Sequence, residues 1–304
     1  MTRTRFLGIA IGIFVLGGTA LAQEISPTEL FEKVRGAYGS LQTYKAEGTI
    51  STAMNTGGMA VKTEISFSIR LRKPNLYLIS WTQNMEMPGM SHSGAVWSDG
   101  TQPYLYMMNA YSKMASDEIA LAAATGISGG AAFTIPALFM PWLINASDQF
   151  SRLNDPKIET GEKVGDDDCY VVSRASAGSR KETLWISKSR HLILKYSRSF
   201  ESPEGGRAAP ELNDEQLEES IKAMGQQVTK ESKQRMRALL KQSAEVLAKT
   251  QMKGWSTEIH TGVSSPDISR QDVTFNLPDG AVLKESLFEG IMGGATDAAK
   301  HPKQ

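Results

Sequence analysis

The sequence predicts an α+β protein built on one large, curved antiparallel sheet that is covered by short helices. The first observation is a period-two alternation across residues 59–72 (MAVKTEISFSIRLR), where apolar residues share one parity and polar residues take the other. The second is a set of tight turns, such as Asp99-Gly100, between further stretches of strand-like sequence. The third is that helical patterns are confined to a few segments, which are available to cover the apolar face of the sheet.

We expect about ten strands, mostly antiparallel, because short turns join most neighbours and permit only antiparallel pairing. The strand over residues 59–72 is the clearest, with one apolar face and one wet face. A hairpin loop at Asn55-Thr56-Gly57-Gly58 joins it to a weaker alternation before it. The predicted strands cover residues 43–54, 59–72, 75–85, 93–98, 102–108, 169–174, 181–187, 191–200, 255–263 and 272–277.

Three segments carry helical patterns. Residues 26–40 (SPTELFEKVRGAYGS) begin with the capping signals of a short helix. Residues 115–146 are apolar and rich in Ala and Gly, and Pro136 and Pro141 divide them into short helices. Because they are the only apolar helical stretch of sufficient length, they are the candidate cover for the sheet.

The third helical segment, residues 211–252, is charged, contains no proline and has apolar residues at helical spacing. It is either one long helix or a helical hairpin, inserted between two strands as part of an insertion over residues 203–253. We predict that it docks along one stripe of its own domain, and a partner-binding arm is the alternative.

The first 22 residues have the pattern of a cleavable signal peptide. Arg3 and Arg5 precede an apolar stretch that is too short to span a bilayer, and Ala20-Leu21-Ala22 matches a cleavage site. No cysteine lies near this site, so we expect a mature chain that starts at Gln23 and carries no lipid anchor. Such a signal is typical of export to a bacterial periplasm.

The net charge argues against a nucleic-acid-binding protein, and the cysteine content excludes a fold held by internal disulfides. The chain has 33 basic and 33 acidic residues, and loss of the signal peptide leaves a net charge of about −2, which offers no electrostatic footprint for nucleic acid. Cys169 is the single cysteine, so the exported protein has no internal disulfide and depends on its core. We assign residues 23–290 to one domain and expect a disordered tail over residues 291–304.

Seven short motifs form a pattern along the chain. A basic-Pro step at Arg72-Lys73-Pro74-Asn75 is followed by an Asp-Gly hairpin at Ser98-Asp99-Gly100 and by Tyr111. After these come the apolar run Ile135-Pro136-Ala137-Leu138, a strand from Gly165 to Cys169, the strand Leu184-Trp185-Ile186 and the final strand Phe275-Asn276-Leu277-Pro278. These motifs resemble those of the periplasmic lipoprotein carrier LolA and its relatives. The match is closer to a related family of predicted periplasmic proteins of unknown function with a LolA-like fold.

The resemblance implies an open half-barrel whose apolar concave face is covered by a helical lid, for which residues 115–146 are the candidate. Gly126, Gly129 and Gly130 favour a mobile lid, because glycine weakens a helix by ~1 kcal/mol each. A mobile lid over an apolar concavity can admit and release an acyl chain. The residues that we expect to line this cavity are Phe67, Ile69, Leu71, Tyr77, Ile79, Trp81, Trp97, Leu138, Phe139 and Trp142.

Methionines are concentrated in the same part of the chain, where nine of the fourteen lie between Met54 and Met140. Methionine adapts to ligands of varied shape, which favours a cavity lining, but it also fills gaps in ordinary cores. The stretch NMEMPGMSH adds a second interpretation, because thioethers select Cu(I). The copper ligands would be Met85, Met87, Met90 and His92. Alternatively, Met85 and Met87 extend the apolar face of the preceding strand to its rim.

No enzyme motif is present, and the sequence contains no H-E-x-x-H, G-x-S-x-G, P-loop or G-x-G-x-x-G pattern. We therefore predict no enzymatic activity and no cofactor. Asp166-Asp167-Asp168 lacks the spaced ligands of a calcium loop and is predicted to be a solvated turn, and Cys169 is predicted to be a small buried hydrophobe.

Three functional hypotheses follow from these observations. The first is a periplasmic binding protein that holds a lipid or a lipoprotein acyl chain for transport or sensing. The second is a periplasmic Cu(I)-binding protein. The third is an envelope regulatory or scaffold protein that uses the insertion to contact a partner. In each case we expect a monomer that binds no nucleic acid and can meet a membrane-protein partner transiently.

Overall fold

A computed structural model describes residues 25–56, 59–85, 91–144, 155–176, 180–201, 212–223, 227–249, 252–285 and 287. Twelve strands form one open sheet in the order β12-β6-β5-β4-β3-β2-β1-β11-β10-β9-β8-β7, antiparallel except for the pairing of β12 with β6. The strands are β1 Thr43–Thr56, β2 Met59–Arg72, β3 Leu76–Met85, β4 His92–Asp99, β5 Pro103–Met107, β6 Ala110–Lys113, β7 Lys157–Val164, β8 Asp167–Ser176, β9 Arg180–Ser187, β10 Ile193–Glu201, β11 Met252–Ser264 and β12 Val282–Leu283. The predicted α+β class with a large open antiparallel sheet is confirmed.

Helices α1 to α4 supply the cover of one face, which we call the concave face of the half-barrel. They are α1 Pro27–Ser40, α2 Asp117–Ile127, α3 Pro136–Phe139 and α4 Pro141–Ile144. Apolar side chains of these helices and of the inward-facing strand positions form the main core. From Ile65 to Leu71 the apolar parity of β2 packs into this core, as the alternation in residues 59–72 predicts, whereas Val61 is exposed.

The lid consists of α2, a glycine-containing turn, α3 and α4. Ser116 caps α2 by accepting a hydrogen bond from the Ile119 N–H at 3.2 Å. The following turn depends on Gly129 and Gly130, which have φ angles of +67° and +115° in a region that favours glycine. Small side chains let the lid backbone approach the sheet closely, and the fully buried ones are Ala120, Ala124, Ala131 and Ala132.

The insertion forms a helical hairpin, with α5 Asp214–Ala223 and α6 Lys230–Lys249. Leu217 and Ile221 of α5 pack against Met236 of α6 in a small separate cluster. The apolar stripe of residues 211–252 is therefore buried within the hairpin itself. Of the two alternatives that the sequence left open, one long helix or a hairpin, the structure has the hairpin.

The convex face is covered by a segment that we call the strap, residues 265–281. The prediction of a strand over residues 272–277 is wrong, because this part begins with a 3₁₀ turn at Gln271–Val273 and continues without sheet pairing. Its apolar residues instead pack on the outer side chains of β3 to β5. Arg72 fixes the strap by donating a hydrogen bond from Nη1 to the Ile268 carbonyl at 2.5 Å.

Three strands, β6, β7 and β12, were not predicted. Most side chains of β7 are exposed, so its sequence has no apolar parity to signal a strand. The strands β6 and β12 have four and two residues, which is too short for an alternation to be recognised.

The predicted signal peptide (residues 1–22) and tail (residues 291–304) lie outside the described residues. Within the described part of the chain, no helix is long and apolar enough to cross a membrane.

The strap should contribute to stability through burial of Ile268, which is 2% exposed. Ile268→Ala should lower the free energy of unfolding by ~2–5 kcal/mol, because it removes buried methyl and methylene groups and leaves a cavity. Val282→Ala is the control, since Val282 is 55% exposed, and should change stability by less than ~0.5 kcal/mol. Urea unfolding measures both, and equal losses in the two variants would contradict the packing of the strap.

Candidate functional site

Most of the predicted cavity residues lie together on the concave face. Phe67, Ile69 and Leu71 of β2, Tyr77, Ile79 and Trp81 of β3, and Phe139 of the lid are all buried in the main core, and Leu138 packs against it. Two of the rings lie over cross-strand glycines. The Phe67 ring covers Gly48, where an added Cβ would be 2.3 Å from it, and the Trp81 ring covers Gly94 in the same way. These side chains form a closely packed interior beneath the closed lid.

Trp97 and Trp142 lie elsewhere. Trp97 is on the convex face, in the cluster that the strap covers, because its neighbour Val96 takes the concave position on β4. Residues 93–98 (SGAVWS) place two large apolar residues side by side, so parity alone did not identify the inner one. Trp142 is 54% exposed on α4 and donates a hydrogen bond from Nε1 to the Pro74 carbonyl at 3.0 Å.

Lys73 holds the far end of the lid. Its Nζ donates to the carbonyls of Tyr38 and Gly39, at 3.0 and 2.8 Å, and so caps the last turn of α1. The same ammonium lies 4.8 Å from the centre of the Phe139 ring and 5.9 Å from that of Trp142. Burial lowers the pKa of Lys73. One cation therefore joins α1, the β2–β3 turn and the lid.

The near end of the lid is held by Tyr77. Its hydroxyl donates to Asp117 Oδ1, in the first turn of α2, at 2.9 Å. Burial, and secondarily the Asp117 carboxylate, raises the pKa of Tyr77 well above its usual range. Both ends of the lid are thus tied to the sheet by polar contacts.

A cavity of about 330 Å³ lies where the middle of the lid meets β10 and β11. The lid contributes glycines, threonines and one aromatic ring, and the strands contribute polar side chains. None of the predicted cavity residues lines it. The lining residues are Thr125, Gly126, Gly129, Gly130, Phe133, Thr134, Tyr196, Arg198, Ser256 and Glu258.

The cavity is lined by a buried carboxyl group, that of Glu258, of which only 4% is exposed. Its Oε2 accepts a hydrogen bond from the Thr134 hydroxyl of the lid at 2.7 Å. Its Oε1 lies 2.8 Å from His260 Nε2, but without the alignment of a hydrogen bond. Among the described residues, Oε1 and both ring nitrogens of His260 have no hydrogen-bond partner. The middle of the lid therefore bonds to a buried carboxyl group of which one oxygen, Oε1, makes no aligned hydrogen bond among the described residues.

His260 is buried between this carboxyl group and the aromatic core. Its ring meets that of Phe67 edge to face, with 5.2 Å between the ring centres. Gly48 is the Cα partner of both His260 and Phe67, and the absence of a side chain there lets the two rings meet. An added Cβ at Gly48 would lie 2.1 Å from the Ile259 carbonyl oxygen.

Beyond Glu258 the concave face becomes polar. Ser256 accepts a hydrogen bond from Thr52 Oγ1 at 3.2 Å, and Arg198 is its partner on β10. On the next strand, Glu182 accepts a hydrogen bond from Arg174 Nε at 2.9 Å. Burial, with Glu182 as a second cause, raises the pKa of Tyr196 above its usual range. The cavity therefore has an apolar inner side and a charged outer side.

No local sequence signal identified Glu258 and His260 as inward residues. Along β11, Ser256, Glu258 and His260 share one parity, and a polar parity normally faces water. They face inward because β11 pairs with β1 such that Glu258 is opposite the buried Ile50. A contact between such distant parts of the chain cannot be inferred from the local pattern.

The copper hypothesis stays a prediction. Met87 and Met90 lie outside the described residues, and so does the side chain of Met85, while His92 is half-buried at the start of β4. Within the described ranges, no group of three or more His, Cys, Asp or Glu residues could hold a metal ion.

The contacts of Asp167 and Cys169 explain both as structural residues. Asp167 begins β8 and forms an ion pair with Arg190 at 2.7 Å. Cys169 is buried in an apolar cluster on the convex face, as the sequence predicted. Burial raises the pKa of its thiol, which disfavours the reactive thiolate.

The architecture is the LolA-like one that the sequence motifs implied, an open antiparallel sheet with helices on its concave face. No protein-family model matches the chain, and no curated protein matches it. Among solved structures, the chain is similar to a LolA superfamily protein from Nitrosomonas europaea, with 10% identity, 83% of this chain and 98% of that chain covered, and a TM-score of 0.29.

Two further solved structures are similar at the same level. For a putative outer membrane lipoprotein-sorting protein domain from Vibrio parahaemolyticus, identity is 9%, coverage is 81% of this chain and 95% of that chain, and the TM-score is 0.29. For the Pseudomonas aeruginosa MucA/MucB complex, identity is 10%, coverage is 82% of this chain and 60% of that chain, and the TM-score is 0.33. The ligands and partners of those proteins do not carry over to this chain.

The contact between Thr134 and Glu258 should stabilise the closed lid. Thr134→Val should lower the free energy of unfolding by ~1–3 kcal/mol, because a buried carboxyl group loses its donor. Thr261→Val is the control, since this exposed threonine donates only a 3.3 Å hydrogen bond to the Glu47 carbonyl, and should cost less than ~0.5 kcal/mol. Chemical denaturation measures both, and an unchanged stability in Thr134→Val would contradict the role of this contact.

Proposed function

We propose that the protein is an exported, non-enzymatic binding protein that holds the acyl chain of a lipid or lipoprotein between the concave face and the lid (residues 115–146). The observation that carries this proposal is the cavity between the middle of the lid and strands β10 and β11. Its volume of about 330 Å³ lies at the lower end of the ~300–1,000 Å³ range of ligand pockets.

The cavity adjoins the apolar interior. An added Cβ at Gly129 would lie 2.7 Å from Ile65 Cδ1 and 3.6 Å from Ile50, so the lid turn rests directly on these two core residues. Movement of the turn away from the sheet would expose them, and the Phe67 ring beyond them, to an incoming chain. Each methylene that is then buried contributes ~0.8 kcal/mol to binding.

The attachments of the lid support opening at its middle. Tyr77 and Lys73 tie the two ends to the sheet and to α1, and a hydrogen bond from Thr134 to Glu258 ties the middle. The turn between α2 and α3 contains Gly129 and Gly130, whose backbone freedom suits a hinge. Capture and release would then involve loss of the Thr134–Glu258 hydrogen bond and rearrangement of this turn.

The site of action in this proposal is the periplasm. The N-terminal pattern of Arg3, Arg5 and Ala20-Leu21-Ala22 supports export without a lipid anchor. A carrier of this kind would receive its ligand from, and deliver it to, membrane-associated partners, which agrees with a lid that opens without unfolding the sheet.

A bulky side chain at the cavity should block ligand binding. Gly126 lines the cavity near the end of α2, and an added Cβ there has no atom within 4 Å. We expect Gly126→Trp to fold normally and to weaken binding of a fluorescently labelled lysophospholipid about tenfold or more, because the indole occupies space that the chain needs. Fluorescence titration below the critical micelle concentration measures the affinity.

Gly36→Trp is the matched control. Gly36 is an exposed helical glycine on α1 that likewise has no atom within 4 Å of an added Cβ, but it does not line the cavity. This variant should bind the probe as the unmodified protein does. Equal affinity of all three proteins would contradict binding at this cavity, and absence of binding to the unmodified protein would contradict the proposed function itself.

A further inference from the structure

Side chains along the cavity are ordered by polarity from the core outward. In one row of the sheet, Ile50 of β1 is opposite Glu258 of β11, which is opposite Tyr196 of β10. In the next row toward the open end, Ser256 is opposite Arg198. Residues two apart on a strand face the same way and are roughly 7 Å apart. An acceptor therefore lies next to the apolar interior, and a cation lies one row further out.

The acceptor has capacity for a ligand. Glu258 is more than nine-tenths buried and lines the cavity, and its Oε1, with His260 Nε2 2.8 Å away, makes no aligned hydrogen bond among the described residues. Buried acceptors are normally satisfied, and an exception needs an explanation. A hydrogen-bond donor on a bound molecule would satisfy this carboxyl group.

The cation is also available. Arg198 is exposed and lines the same cavity, and in the described part of the chain no hydrogen bond or ion pair engages its guanidinium. Its cross-strand neighbour Glu182 is held by Arg174, in a contact made through both Nε and Nη2. Arginine binds phosphate and carboxylate groups through paired hydrogen bonds.

We propose that this cavity selects single-chain amphiphiles that carry a hydrogen-bond donor next to the chain and an anionic group roughly 7 Å further out. The donor bonds to Glu258, the anion pairs with Arg198, and the chain enters the apolar interior past Ile50 and Ile65. A lysophospholipid with a free hydroxyl has this order of groups, and so does an N-acylated acidic amino acid or peptide. This inference rests on the proposed function and specifies the head group that it leaves open.

The same order disfavours a simple fatty acid. Its anionic group is attached directly to the chain, so full insertion of the chain brings that anion to Glu258 rather than to Arg198. Two like charges in a site of low polarity repel strongly. A fatty alcohol avoids this repulsion but has no group for Arg198.

The test compares probes of equal chain length below their critical micelle concentrations. Lysophosphatidic acid and N-acylglutamate have both groups, whereas the fatty acid has only the anion and the fatty alcohol only the donor. Calorimetric titration should show that the first two bind about tenfold or more tightly than the last two, as expected for one additional charge-assisted hydrogen bond. A preference for lysophosphatidic acid would point to a lipid source, and a preference for N-acylglutamate to an acylated peptide.

Two substitutions separate the two contacts. Arg198→Gln should weaken binding of both double-group probes about tenfold and leave the fatty alcohol unchanged. Glu258→Gln should weaken the double-group probes but strengthen the fatty acid, because the repulsion is removed. Arg270→Gln, an exposed position in the strap on the opposite face, is the control and should change nothing.

The outcomes distinguish this inference from the proposed function. If the fatty acid binds as tightly as lysophosphatidic acid, or if Arg198→Gln and Glu258→Gln leave the order of affinities unchanged, the head-group selection is overturned while acyl binding stands. If no probe binds to the unmodified protein, both are overturned.

Discussion

The apolar concave face of the open sheet must be covered, and most other features of the molecule follow from this constraint. A closed barrel buries its own interior, whereas a twelve-stranded sheet that stays open depends on other elements for burial. Helix α1 and the lid supply the cover on the inside, and the strap supplies a smaller one on the outside. The lid reaches the sheet closely because several of its buried residues are alanines and its turn contains glycines.

The cover is uneven, and this unevenness locates the candidate site. Toward Tyr77 and Lys73 the lid is tied to the sheet by hydrogen bonds and aromatic contacts. In the middle, it rests on Ile50 and Ile65 and makes one hydrogen bond to Glu258. A buried carboxyl group with incomplete hydrogen bonding is costly for stability, and proteins tend to retain such groups where they serve a function. The glycine turn of the lid and a buried carboxyl group with incomplete hydrogen bonding thus lie together.

The fold class could be predicted from the sequence because the decisive signals are local. The alternation in β2 and the turn at Asp99-Gly100 depend on neighbouring residues only, and both were interpreted correctly. The same local signal failed where tertiary packing decides the outcome. Val273, Phe275 and Leu277 alternate as in a strand but pack across the convex face, and Trp97 points outward because Val96 occupies the inner position.

The candidate site was less accessible to sequence analysis than the fold. The aromatic and aliphatic residues of β2 and β3 were predicted to face inward, and they do, but they fill the core beneath the closed lid rather than line the cavity. Glu258 and Arg198 were missed because the inner face of β11 is set by its pairing with β1, about 200 residues earlier in the chain. The polarity of such a strand gives no indication of which face is buried.

The central claim is that the protein carries an acyl ligand beneath its lid, and native mass spectrometry of the protein purified from a bacterial periplasm without detergent tests it most directly. We predict an additional mass of lipid size that organic extraction removes. A protein that shows only its own mass, or an increment of one copper ion, would contradict this account.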